Sequence, residues 1–400
     1  MSKLILLSGG KTTAPLTQHL IKLGYDIAVF EPNMGAALVQ KHGDRVISVM
    51  GLYEPQFANI AHNEAANQFA NIFKDGVEGI ATRVKTLSEW KAFTGSKLKL
   101  ENWLPGYLHQ SILNQTTRML CLEKLNQRKV EMCITHEDIT EQFGGLAHWA
   151  KARGIPTALV PHANHFAKPE LSPDIHDTSI CDALAVTLHQ EKWYRARAYA
   201  GDMAMTGSPL FDRWDKYQVN REWAQKVLRL DPEKKTIVYM SSWGQGTNAH
   251  DDSYRFEEAL EAIALAGFDQ LIIKLHPGEA PGIEQEYHRF LTEMGTKALV
   301  TRQYFEIVLS AADMVVSLGP SNSVVDAAIM NVPSVCIKMP GYTFDHPAIP
   351  EVEPDEIRIA VDEYQKWDRD DFVFQMTGNQ IGKAGKNVAL WAHERIRSLG

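Results

Sequence analysis

Residues 311–338, "AADMVVSLGPSNSVVDAAIMNVPSVCIK", decide the fold. An apolar, β-branched run ends at Ser317. A polar loop carrying Gly319 and Pro320 follows, then a helical pattern from Ser323 to Met330, then a second apolar run, Ser334–Ile337. Strand, helix and strand in so short a span make a parallel crossover unit. Hydroxyls and free N–H groups converge at the helix N-terminus, where the helix dipole favours an anion. Gly319, Ser321, Asn322 and Ser323 are therefore candidates for holding a phosphate. Asp326, one turn in, is a candidate for hydroxyls beside it. A helix capped by Ser321 or Ser323 explains the same residues.

The same alternation recurs outward along the chain. In the first half the expected strands are Lys3–Leu7, Asp26–Glu31, Arg45–Val49, Val130–Thr135, Pro156–Val160, Ala183–Thr187 and Met203–Thr206. In the second half they are Thr236–Met240, Gln270–Leu275, Ala298–Thr301, Met314–Ser317 and Ser334–Ile337. Four hundred residues exceed one ordinary core. The expectation is an α/β chain of two doubly wound, Rossmann-type domains. Residues 1–215 form the first, with a mostly helical insertion at about 52–104. Residues 216–385 form the second, and a closing helix lies within 386–400. Two such halves leave a cleft faced by strand carboxyl ends, where open sheets bind ligands.

The strand-end loops carry the remaining candidates. "DQLIIKLHPGEAPG" (269–282) delivers Lys274 and His276 and then breaks at Pro277-Gly278. "PTALVPHANHFAKPE" (156–170) places His162 and His165 just past a strand, where a neutral imidazole can take a proton from a hydroxyl. "CITHEDIT" (133–140) offers His136, Glu137 and Asp138 as acid–base groups, or a helix cap at Asp138 or Thr140. "YMSSWGQGTNAHDD" (239–252) is an N–H-rich loop with Ser242 and Trp243. "SGGKTT" (8–13) invites comparison with a nucleotide-gripping P-loop. That motif, G-x-x-x-x-G-K-[ST], needs its opening glycine at position 5, which is Ile5. The expectation is a tight strand-to-helix turn, whose Gly9, Gly10 and Lys11 can touch an anion. Neither this turn nor the 239–252 loop has the G-x-G-x-x-G spacing of a dinucleotide site.

Net charge is −8 and the pI is about 6.0, which disfavours bulk electrostatic binding to nucleic acid or an anionic membrane. Cys121, Cys133, Cys181 and Cys336 are scattered, with no C-x-x-C, and read as reduced thiols of a cytoplasmic protein. No signal peptide and no membrane span are expected.

Four segments, in order, resemble the GT-B glycosyltransferase superfamily, nearest to the CDP-glycerol glycerophosphotransferase and capsule-polysaccharide group. The UDP-N-acetylglucosamine 2-epimerases are similar at a greater distance. The segments are "VPHAN" with His162, "MTGSPLFDRW" (205–214), His276-Pro277, and the run with Asp313, Ser317, Ser321, Asn322, Asp326 and Pro333. The likeness spans about residues 130–340. Ala163 stands where the family has glycine, and Asn322 where it has serine. The 52–104 insertion has no counterpart.

The resemblance implies a nucleotide-activated donor in the second domain. Ser321, Asn322 and Ser323 would hold its diphosphate, Asp326 its ribose hydroxyls and His276 its phosphates. His162 would be the base for an acceptor hydroxyl or a helper of the leaving phosphate. No metal and no cofactor beyond the donor are implied. The acceptor would be a glycan, a lipid-linked group or a small-molecule hydroxyl. A modified (hydroxymethylated) DNA base is a further acceptor class, suggested by the basic and aromatic residues of 83–107. The same donor site would also serve a UDP-sugar 2-epimerase, with Glu137 or Asp138 facing the sugar, or a catalytically inactive nucleotide-sugar-binding protein.

Overall fold

The computed structural model describes residues 3–72, 100–138, 141–166, 168, 179–217, 219–241, 256–277, 279, 282–302, 305–339, 341–363, 369–378 and 381–399. Within them lie two sheets. The first holds β1 (Lys3–Leu7), β2 (Tyr25–Val29), β3 (Val46–Ser48), β4 (Val130–Thr135), β5 (Thr157–Leu159), β6 (Ala183–Val186) and β7 (Asp202–Met205). The second holds β8 (Thr236–Met240), β9 (Gln270–Lys274), β10 (Ala298–Thr301), β11 (Met314–Leu318), β12 (Ser334–Ile337) and β13 (Glu351–Val352). Their orders are β3-β2-β1-β4-β5-β6-β7 and β10-β9-β8-β11-β12-β13. All neighbours are parallel. In each sheet the order reverses beside its first strand, between β1 and β4 and between β8 and β11. Such a reversal opens the ligand crevice at the strand carboxyl ends.

Both faces of each sheet are covered, so the central strands are apolar throughout rather than alternating. Along β1, Ile5 and Leu7 pack on one side with Leu16, Leu20 and Val388. Leu4 and Leu6 pack on the other with Phe57, Leu122 and Leu146. In the second sheet Val238 and Met240 face one layer and Ile237 and Tyr239 the other. The expected strands are present, five with the expected bounds and the others with an end displaced by a residue or two. The edge strand β13 was not expected, because two residues carry no periodicity. Of the 52–104 insertion, the helices Gln56–Ile72 and Leu100–Glu123 pack together. Residues 73–99, with most of the basic and aromatic stretch, lie outside the described residues. Among those described, all four cysteines are unpaired and buried, and no helix is long and apolar enough to cross a membrane.

The chain passes between the sheets twice, and the two passes touch. Going forward, the 3-10 turn Pro209–Asp215 sets Phe211 and Trp214 into the second domain's core. Returning, the helix Asp370–Thr377 leaves Phe372 and Met376 in that core. The closing helix, Ala384–Leu399, then lies against the first sheet through Val388, Ala389, Ala392 and Ile396. Tyr25 Oη and His393 Nδ1 meet there at 2.9 Å. Asp212, on the outgoing pass, caps this returning helix. Its carboxylate accepts from Ala384 N at 3.1 Å and Gly385 N at 2.7 Å, a favourable place for a negative charge. Gly378 and Gly382 are both left-handed, at φ 72° and 79°. A Cβ on Gly378 would lie 3.2 Å from Gly207 Cα, and one on Gly382 2.5 Å from Asp215 Cγ.

Because the closing helix completes the first domain's core, Ile396→Ala should destabilise the protein by about 2 kcal/mol, the low end for such truncations at a helix end able to relax. Chemical denaturation measures this. A loss within experimental error would detach the helix from that core.

Candidate functional site in the interdomain cleft

The first wall begins with the turn after β1. Gly9, at φ 98°, donates its N–H to Thr13 Oγ1 at 3.1 Å. Thr13 and Ala14 return their N–H groups to Gly10 O at 3.1 and 2.9 Å. These bonds close a short turn into the 3-10 segment Ala14–Leu16, with Pro15 inside it. The Gly9 N–H is therefore spent within the turn, while Lys11 is exposed at its tip. Gly10 serves packing: a Cβ there would lie 2.4 Å from Cγ of His136.

His136, at the end of β4, sits with Nδ1 2.6 Å from Ser8 Oγ and its ring 4.3 Å from that of Phe143. His162 is exposed, and its backbone N–H donates to His136 O at 3.0 Å. Its ring lies 6.3 Å from His136 and 5.8 Å from His165. His165 stacks on Trp193 at 4.7 Å. The helix Leu188–Ala196 steadies this loop. Gln190 Nε2 donates to Ala163 O at 3.1 Å, and His189 Nε2 to His165 O at 2.7 Å. Asp138 departs from the acid–base expectation. It is buried and accepts from Ser179 Oγ at 2.5 Å and Ile180 N at 2.9 Å. It braces the chain before β6 instead of facing the cleft. Glu137 contributes its carbonyl, which accepts from Thr135 Oγ1 at 2.5 Å.

The second wall is the loop between β11 and the helix Asn322–Ile329. Gly319 is left-handed, at φ 71°, and its N–H is held by Ile337 O at 3.0 Å. Ser321 is the N-cap, accepting from Ser323 N at 3.2 Å, and the two hydroxyls meet at 3.1 Å. Asn322 reaches across the cleft. Its Oδ1 accepts from Asn164 N at 3.0 Å and its Nδ2 donates to Asn164 O at 3.2 Å. Expected to hold a phosphate, its amide joins the two walls.

Asp326 also departs from expectation. Its carboxylate is buried, accepting from Trp214 Nε1 at 2.5 Å and pairing with Arg213 at 2.9 Å. It secures the outgoing crossover and is not open to a ribose. Burial lifts its pKa to about 6, outweighing the Arg213 charge and the hydrogen bonds, which pull the other way. Lys274 likewise turns inward, donating to Leu275 O at 2.9 Å and Arg302 O at 3.0 Å. Its side chain is spent on the loop after β9.

His276 is half-buried, and its N–H is shared by Ser241 Oγ and Glu279 Oε2, both at 2.8 Å. Burial, then the charges of Lys274 and Lys11, lower its pKa. Lys11 belongs to the opposite wall, so the two walls face each other here. Ser242 and Trp243 lie outside the described residues.

Ser8, Asn164 and Glu279 escaped the sequence reading. Glu279 had a usable signal, since a carboxylate three residues past a strand-end histidine can cap the turn it closes. Among the described residues no three His, Cys, Asp or Glu side chains gather to hold a metal ion. Two cavities, of about 440 and 550 Å³, lie away from these residues, around Arg128 on the first domain.

Among chains of known structure, the UDP-GlcNAc 2-epimerase from Methanocaldococcus jannaschii superposes with a TM-score of 0.57 at 14% identity, over 100% of both chains. The fold is GT-B. The UDP-GlcNAc 2-epimerase from Neisseria meningitidis, solved with UDP-GlcNAc, gives a TM-score of 0.56 at 11% identity, over 98% of this chain and 100% of that one. A variant of the wall teichoic acid polymerase TagF gives 0.50 at 11% identity, over 100% and 90%. No family model matches the GT-B chain described here, and no curated protein matches it at a significant level.

The buried Asp326 sets a pH dependence. Its pKa is raised from 3.8 unfolded to about 6 folded, so between those values the folded chain binds the extra proton. Stability from this group is therefore highest below about pH 4 and falls as pH rises to about 6, by an amount of order 2–3 kcal/mol. Asp326→Asn keeps an acceptor for Trp214 and should flatten that slope. Denaturation midpoints at pH 4, 5 and 6 test it, and an unchanged slope in the variant would assign the dependence elsewhere.

Proposed function

We propose that this protein transfers a glycosyl or glycerophosphate-type group from a nucleotide-activated donor to an acceptor hydroxyl. One observation carries the reading. The exposed His162 stands two residues from Asn164, whose backbone is bonded to Asn322 in the first turn of the second domain's helix. A group able to take a proton from one wall is thus tethered beside an anion-favouring helix end on the other.

In this reading the donor diphosphate lies at the N-terminus of the helix Asn322–Ile329, near the Ser321 and Ser323 hydroxyls, with His276 and Lys11 on either side. The acceptor oxygen forms its new bond to the donor's transferred carbon or phosphorus as the bond to the nucleotide phosphate breaks. The hydroxyl proton passes to His162, and the nucleotide leaves with the bonding electron pair. Its developing charge is met by the helix dipole, the hydroxyls and Lys11, so the reading calls for no metal ion.

Asp138, spent on Ser179 and Ile180, drops out as a carboxylate for the 2-epimerase alternative and leaves Glu137 as the one that reading would use. The basic stretch that suggested a DNA acceptor falls mainly within 73–99, outside the described residues.

Thermal-shift measurements with UDP-, CDP-, GDP- and ADP-linked donors should find one nucleotide class that stabilises the chain, since a ligand of the native state raises its stability by mass action. With that donor, His162→Ala should lower kcat by about 10²–10⁴-fold, the range for general-base help, with donor affinity and melting temperature nearly unchanged. Full turnover in the variant would remove His162 from the base role. Product formation without any acceptor would replace transfer by epimerisation or hydrolysis.

A further inference from the structure

We propose that His136 serves the cleft as a neutral hydrogen-bond donor through Nε2–H, aimed at a phosphate oxygen, with Ser8 as the positioning residue that fixes this tautomer. The ligand half of the proposal rests on the nucleotide-donor reading above; the tautomer half does not.

The hydrogen bonds around Ser8 decide the tautomer. Ser8 is fully buried at the carboxyl end of β1. Its Oγ accepts the backbone N–H of His136 at 3.0 Å, lies 2.6 Å from His136 Nδ1 and lies 3.4 Å from Thr13 Oγ1. A hydroxyl has one proton to give. If Nδ1 carried a proton, Ser8 would accept twice and have to donate to Thr13 across 3.4 Å, beyond the usual O–H···O range. With Nδ1 bare, the Ser8 proton lies in the 2.6 Å contact and its oxygen accepts the backbone N–H. Thr13 accepts from Gly9 N at 3.1 Å and has only a long 3.3 Å contact to Gly10 O whichever tautomer is present. Only a bare Nδ1 lets the buried Ser8 hydroxyl both donate and accept at normal length, so the ring proton of His136 sits on Nε2.

The ring is held as firmly as its tautomer. Gly10 lies against one side, and Phe143 packs edge-on at 4.3 Å. Nε2 has no partner among the described residues, yet it is not sealed from solvent. The groups facing His136 are Ser8 and Gly10 of the first turn, Phe143 of the helix Glu141–Lys151, and His162 of the next strand-end loop. The exposed Lys11 follows Gly10, and Asp138 is turned to Ser179 and Ile180. None of these is a carboxylate placed to hold an imidazolium. Burial and the neighbouring His162 accordingly push the His136 pKa down to about 4. A ring that already carries its proton on Nε2 cannot take another there, so His136 withdraws from the base candidates and complements His162. Lys11, beside Gly10, is also, after Lys274, one of the charges felt by His276 on the far wall. A phosphate there would meet a cation and the His136 donor together.

The tautomer is read by 15N NMR of the histidine-labelled full chain, with the His136 signal assigned by its loss in His136→Gln. The expected result is a bare Nδ1 and a protonated Nε2, unchanged from neutral pH to about pH 5. In Ser8→Ala the signal should move to mixed tautomers. A protonated Nδ1, or a ring titrating near the ordinary histidine value, overturns the proposal. Because this is read in the wild-type chain, misfolding of Ser8→Ala does not blunt it.

The donor role is tested by calorimetry with UDP, CDP, GDP and ADP, the variants being compared on whichever binds the wild type. His136→Gln, which still presents an N–H, should bind within about threefold of wild type. His136→Phe should bind about tenfold more weakly or worse, the worth of a hydrogen bond to a charged group. Equal weakening by both overturns the role. If none of the four binds the wild type, the donor reading and the phosphate half fall together, and the tautomer stands on its spectrum.

Discussion

Two hydrogen bonds from one amide organise the cleft. The Asn322 side chain matches both backbone groups of Asn164, accepting at 3.0 Å and donating at 3.2 Å. A side-chain amide carries a donor and an acceptor side by side, and here they pair with the N–H and C=O of a single residue. The clasp fixes the His162 loop relative to the helix start of the other domain. Asn164 is buried, and its own amide donates to Met376 O at 3.3 Å, so the returning chain is gripped at the same junction. Distances across the cleft are thus set by short covalent spans from Asn164 rather than by the broad surfaces of the two sheets.

The ionisable groups divide by task. Asp138, Asp326, Glu279 and Lys274 are buried and bonded, and they shape strand-end loops. A buried charge is tolerated only when its hydrogen-bonding capacity is met, and each of these meets it at two or more atoms of its surroundings. Among the described residues, those at the strand ends by the opening include another kind: His136, His162, His165 and His276, with the exposed Lys11. A chain of net charge −8 thus sets imidazoles and an ammonium, among its described residues, at this cleft. The local balance suits an anionic ligand although the global one does not.

The sheets were legible in the sequence because strands buried on both faces must be apolar from end to end. The run through Met314–Leu318 states its own burial. The strand-end histidines were legible too, since Pro161 and Pro277 mark where backbone pairing stops. The roles of Asp326, Asn322, Lys274 and Asp138 were not. Each occupies a position where a ligand contact was a sound inference, and each is instead satisfied by a residue far away in the chain: Trp214, Asn164, Arg302 and Ser179. A local motif shows what a side chain can do but not which distant partner has already engaged it. Ser8 was missed for the same reason, since its partner His136 stands on another strand.

The two passes of the chain between the sheets have a mechanical consequence. A body joined by one thread can turn about any direction. Joined by two adjacent threads, it swings mainly about the line through them and resists twisting. Here the threads are fastened to each other, Asp212 to the backbone of Ala384 and Gly385, and Gly378 against Gly207. Opening of the cleft is then a swing about that seam, with the Asn322 clasp close beside it, where Asn164 also holds Met376 O. The histidine wall would leave and return along one arc, meeting the helix end in the same register each time.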